Sequence, residues 1–83
     1  MATDDVMQRV AKVTSRVLGL EPETIAPDSN FVFDLGAESV QSLQLVAGFE
    51  EEFGVDLDQE AALAVQTVEG AAEFIREHLN RKA

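Results

Sequence analysis

Cysteine, tryptophan and tyrosine are all missing from the 83 residues, and His78 is the single histidine. No cysteine means no disulfide framework, no thiolate nucleophile and no Cys-based zinc site, and one histidine does not complete a metal site. Basic residues are also scarce, 6 against 16 acids, and all of them lie toward the ends: Arg9, Lys12 and Arg16, then Arg76, Arg81 and Lys82. The stretch from Val17 to Ile75 has no basic residue and holds 13 of the acids. A net charge of -10 opposes binding to phosphate backbones or anionic lipid surfaces, so nucleic acid is not an expected partner. No apolar run approaches the roughly 20 residues that span a bilayer. Asp4 and Asp5 stand where a secretory signal would be basic. These absences lead to the expectation of a cytoplasmic protein with no membrane span. The acidic middle reads either as a solvated surface or as a docking surface for basic partners.

What is present is enough apolar material, 46% of the residues, for a small core. The expectation is one domain over residues 1–83, a monomer of modest stability. Thr3 followed by Asp4 and Asp5 resembles an N-cap with acids in the first turn. Val6, Val10, Val13 and Val17 then recur at helical spacing, predicting a helix over about residues 3–18. Gly19 suits a left-handed C-terminal cap, and Pro22 keeps the helix from resuming. From Gly19 to Glu38 no period is sustained, which predicts a long loop packed down by Phe31 and Phe33.

Ser39 is expected to cap a second helix that runs through Phe53 to a stop at Gly54. Its apolar arc covers more than half the circumference, so this helix is central and touches at least two neighbours. Gln41, Gln44, Gly48, Glu51 and Glu52 form the remaining strip, expected to face solvent or a partner. Asp58 to Leu63 allows one or two helical turns. Thr67 caps a last helix with a stripe of Val68, Ala71, Ala72, Ile75 and Leu79, and Arg76, Arg81 and Lys82 complement its C-terminal end. No alternating run is long enough for a sheet. The predicted fold is all-α, a small four-helix bundle of three longer helices and one short one, with a long loop between the first two.

Few residues offer chemistry of their own. Asp56, Asp58 and Glu60 have the oxygen spacing of a calcium loop, but Ala61 stands where glycine is needed and Thr67 where a bidentate glutamate is needed. A serine hydrolase is no better supported: Gln41 replaces the second glycine of a nucleophile elbow, and there is no strand before Ser39. His78, the only possible base, reads as a surface residue near a helix end. No metal site and no enzyme are expected. Taken alone, Leu35-Gly36-Ala37-Glu38-Ser39-Val40 reads as an ordinary helix cap.

Its context adds more. The run from Phe33 through Glu38-Ser39-Val40 to Val46, then Glu50-Glu51-Glu52-Phe53-Gly54-Val55 and Thr67-Val68, resembles the acyl carrier protein family over nearly the whole chain. The resemblance implies that Ser39 receives a 4′-phosphopantetheine arm from coenzyme A through a separate holo-synthase, a phosphopantetheinyl transferase. The arm's thiol then carries acyl groups as thioesters among enzymes of fatty-acid, polyketide or related biosynthesis. A peptidyl carrier holding aminoacyl groups and an unmodified carrier-like interaction module are the alternatives. The resemblance also implies an acyl-chain cavity, for which Val46, Phe49, Phe53, Ala62, Leu63 and Ile75 are the candidates. Docking to basic patches of partner enzymes is expected along Glu38, Val40, Gln41, Leu43, Gln44, Ala47, Gly48 and Glu51. Glu38 replaces the family's usual Asp, Val40 its usual Leu, Asp58 a frequent Pro, and Gln41 and Gln44 stand where many members have acids. Weaker docking to general fatty-acid enzymes is therefore expected.

Overall fold

The computed structural model describes residues 2–82, and their side chains from 5 to 80. The valine spacing forms α1, Ala2–Leu18. Val10 and Val13 are fully buried, and the buried Thr14 hydroxyl donates to the Val10 carbonyl oxygen at 2.8 Å. The expected cap at Thr3 falls outside the described side chains. Gly19 adopts a left-handed φ of 68°, and the Gly19 and Leu20 N–H groups both close on the Ser15 carbonyl oxygen, at 2.9 and 3.1 Å. Pro22 then opens a 3-10 turn, Pro22–Thr24.

Three further helices follow: α2, Ser39–Phe53; α3, Gln59–Leu63, with Asp58 as its N-cap; and α4, Val68–Lys82. Gly54 ends α2 at a φ of 63°. Glu50 ties that end to the next segment: its carbonyl accepts the Val55 N–H at 3.2 Å and its carboxylate the Leu57 N–H at 2.9 Å. Thr67 Oγ1 accepts the Gly70 N–H at 3.0 Å, the cap expected at the start of α4.

The loop between α1 and α2 is tied to the entrance of α4. Phe31 N–H donates to the Gln66 carbonyl at 2.9 Å, Val68 N–H to that of Ser29 at 3.1 Å, and Glu69 N–H to that of Pro27 at 2.8 Å. One isolated antiparallel bridge, Asn30 with Thr67, results, and there is no strand among the described residues. α1 packs on both α2 and α4, and α3 on α2. The core joins Val10 and Val13 of α1, Leu45, Val46 and Phe49 of α2, and Val68, Ala71, Ala72 and Ile75 of α4.

Candidate functional site at the start of α2

The segment that delivers Ser39 is built from its own polar side chains. Asn30 Oδ1 accepts the N–H groups of Val32 and Phe33, each at 2.9 Å, and Asp34 Oδ2 accepts the Asn30 N–H at 2.7 Å. Ala37 N–H donates to the Phe31 carbonyl oxygen at 2.8 Å, and Gly36 turns the chain at a φ of 73° that a side chain would resist. Ala37 is buried, while Glu38, Ser39 and Val40 emerge into solvent.

Ser39 does not cap α2. Glu38, extended at a ψ of 170°, holds the N-cap position and Ser39 is the first helical residue. Gln41 Oε1 accepts the Glu38 N–H at 3.0 Å, so the glutamine expected on the docking strip serves the cap instead and is half-buried. An N-cap bonded from its third helical residue needs no serine. The Ser39 hydroxyl is left exposed at the positive end of the helix, beside first-turn N–H groups that helix geometry leaves without intrahelical partners. Of the other serines, Ser29 is buried with its Oγ accepting the Ala26 N–H at 3.0 Å, and Ser42 is half-buried.

The exposed face of α2 carries Val40, Leu43, Gln44, Ala47 and Glu51, an apolar stripe edged by polar groups. Gly48, expected beside them, is buried against α1: a Cβ there would meet Val13 Cγ1 at 2.8 Å. The lack of a side chain, which made it look solvent-facing, is what lets the two helices approach. Glu52 also leaves the expected strip. Its Oε2 accepts from Arg9 Nε at 2.8 Å and its carbonyl from Arg9 Nη2 at 2.7 Å, and the hydrogen bond from Arg9 holds its carboxyl below the usual carboxylate range.

Between α2, α3 and α4 lies a cavity of about 280 Å³. Val46, Phe49, Ala62, Leu63 and Ile75 line it as expected. Phe53 does not. It faces α1, where the Arg9 guanidinium lies 4.4 Å from its ring centroid. Leu45, Phe31, Phe33 and Phe74 line the cavity without having been anticipated there; Phe31 is buried and packs the loop down as expected, whereas Phe33 is exposed and does not. Leu45 was legible in the apolar arc of its helix, whereas Phe33 lies in an aperiodic loop. Ser42, three residues past Ser39 and its neighbour on the helix surface, also lines the cavity, so one wall of it lies within a turn of the serine.

His78 is half-buried instead of a free surface residue: its ring packs on Phe74 at 4.7 Å between centroids, with Nδ1 3.1 Å from the Phe74 carbonyl oxygen. No group of metal-ligating side chains occurs among the described residues, and among them no helix is long and apolar enough to cross a membrane.

A family model described as a phosphopantetheine attachment site matches residues 8–75. The chain is similar to an acyl carrier protein of Phenylobacterium zucineum (strain HLK1), 41% identical over 75 residues that cover 90% of this chain and 95% of the relative. The chain belongs to the acyl carrier protein family. Members are carriers, not catalysts, and their cofactor is a covalently attached 4′-phosphopantetheine. They work with synthases and acyl-processing enzymes. The residues here fit that group: an exposed hydroxyl, a helix N-terminus beside it whose first-turn N–H groups favour a phosphodiester, and no cysteine to compete with the arm's thiol.

Proposed function

We propose that this chain, as one carrier unit over residues 1–83, holds the arm on the Ser39 hydroxyl and shuttles acyl thioesters between enzymes of fatty-acid, polyketide or related biosynthesis. The observation that carries the reading is the pairing of one exposed serine, at the first turn of α2, with an apolar cavity that Ser42 of the same turn helps to line. The first-turn N–H groups would hold the phosphodiester, and the arm supplies the nucleophilic thiol that the polypeptide lacks. Buried Ser29 and half-buried Ser42 are poor acceptors by comparison.

The cavity favours an acyl cargo over an aminoacyl one. Leu45, Val46, Phe49 and Ile75 would take apolar carbons out of water, whereas an α-ammonium group there would lose its hydration without a buried acid to pair with. Docking falls to Val40, Leu43 and Ala47 as the apolar centre of a small contact, with Glu38, Gln44 and Glu51 around it. Acids in that ring steer a basic patch on the holo-synthase and on acyl-processing enzymes. The protein acts as a monomer in the cytoplasm.

Intact mass after incubation with coenzyme A and a broad-specificity holo-synthase tests the reading. One phosphopantetheine increment is expected, lost in Ser39→Ala while helical circular dichroism is kept. An increment that survives the substitution, or maps to Ser42 or Ser29, overturns it.

A further inference from the structure

Scattered apolar side chains on a protein surface are ordinary. Phe33 stands apart because of its position. It is 86% exposed, the most exposed of the large hydrophobic residues among those described, yet it lines the cavity. Val32 and Leu63, 53% and 43% exposed, line it too, Leu63 from α3 and the other two from the turn before α2. Deeper in, the wall is made of Leu45, Val46, Phe49 and Ile75, all buried. The opening thus carries three exposed apolar groups beside polar Asn30, Ser42 and Gln66, above a wall of buried apolar side chains.

The backbone beneath Phe33 has little freedom to move. Its own N–H is held by Asn30 Oδ1, Asp34 reaches back to the Asn30 N–H, and Phe31 is fixed to Gln66 on one side and to Ala37 on the other. What remains is rotation of the side chain, which for an exposed residue is fast. An aromatic ring on a fixed turn at the edge of an apolar opening is placed to act as a flap.

The geometry points to Phe33 as the lid of this cavity and the residue that selects what stays in it. When an acyl chain borne on Ser39 enters, the ring leaves solvent, closes toward Leu63 and covers the outer carbons of the chain. The inference rests on the proposed attachment at Ser39 and on the cavity taking the chain. Closure removes apolar area of both ring and chain from water, so neither gains it alone. With the cavity empty, the ring has no guest to cover. A chain too short to reach the mouth leaves the lid open, and so does a group too bulky to let the ring down. Chains that end just beneath Phe33 are retained.

Since the chain has no tryptophan and no tyrosine, Phe33→Trp supplies one indole reporter, at a position too exposed to endanger folding. The variant is converted to its phosphopantetheinyl form and to its octanoyl thioester, and intact mass verifies both. Methyl shifts of Leu45 and Val46, inside the cavity, report whether the chain enters. With entry, tryptophan emission should move to the blue and acrylamide quenching should fall at least twofold relative to the unacylated form. Entry with unchanged emission and quenching overturns the lid while leaving the cavity and Ser39 intact. Loading without any methyl shift overturns the cavity reading and the lid with it. In the otherwise unaltered chain, Phe33→Ala should raise the rate at which hydroxylamine cleaves the octanoyl thioester at least threefold. Equal rates speak against a covering role for the ring.

Discussion

The two flanks of α2 are built on opposite rules. Toward α1 the helix is closed: Gly48 admits Val13 so tightly that no Cβ fits between them, and Arg9 binds both the carboxylate and the carbonyl of Glu52 while lying over Phe53. Toward α3 and the loop it is open, with about 280 Å³ of unfilled space and exposed Phe33 and Leu63 at the rim. The contrast shows one helix sealed on one flank and hollow on the other. The α1 seam is close-packed while the other side of the same helix stays underpacked, at the usual expense of unfilled contacts.

Adding bulk to the closed seam is the most direct way to break this picture. Gly48→Val forces two methyl groups against Val13, and overpacking of this kind costs about 2 kcal/mol. A drop in melting temperature of roughly 8–16 °C is expected for a domain of this size. A drop under a few degrees would mean that the seam gives way and is not the closed side.

The same operation on the open flank should have the opposite sign. Ala62→Leu projects carbon into the cavity, and filling a cavity stabilises by about 1 kcal/mol. Thermal unfolding should move upward by a few degrees, and the protein should lose room for long acyl chains. A lowered melting temperature would place Ala62 in a packed environment and erase the asymmetry.

The Arg9–Glu52 contact gives the closed seam a dependence on pH. Because Arg9 holds the folded-state pKa of Glu52 below its ordinary value, the contact's contribution is complete above the unfolded-state pKa. It is lost as pH falls through the depressed folded-state value. The melting-temperature advantage of the parent chain over Glu52→Gln should therefore be full at neutral pH and shrink on acidification below the usual carboxylate range. An advantage that is constant, or that grows toward acid, would contradict the linkage.

The smallest effects are expected on the exposed face between the two flanks. Gln44→Glu should speed modification by a general fatty-acid holo-synthase a few-fold at low salt, and Glu51→Lys should slow it. Gln41 needs separate treatment, since its side chain serves Glu38: Gln41→Glu keeps the reach for that bond, whereas Gln41→Asp shortens it and loosens the start of the helix. Initial rates at two salt concentrations separate these outcomes. Insensitivity to Gln44 and Glu51 together would remove this face from docking.

Much of the site could be read from residue order. Ser39, the adjoining Glu38 and the helix beginning there were visible, as were the stops at Gly19 and Gly54 and the cap at Thr67, because these are local devices that need only neighbours within a turn. Five of the six residues expected to line the cavity do line it, since apolar positions on adjacent helices face a common interior. The cap at α2 was misassigned because a serine and a glutamate in sequence can each take the N-cap, and the choice was decided by Gln41 reaching back to the Glu38 N–H.

By itself, then, the sequence determined the helical elements, all but one of the ends named above, the acidic surface and the serine proposed to hold the arm. Each depends on periodicity, on backbone preference or on charge, which act over a few residues. Tertiary structure alone decided which neighbour each face of α2 would meet. Gly48 and Glu52 lie on the polar strip by their angle, yet α1 covers both. Phe53 sits on the apolar arc yet turns away from the cavity, and Phe33, with no period to mark it, stands at the cavity's mouth. A helical angle states which residues share a face. Only the packing of a second and third helix against that face states whether it is sealed, left hollow or given to solvent.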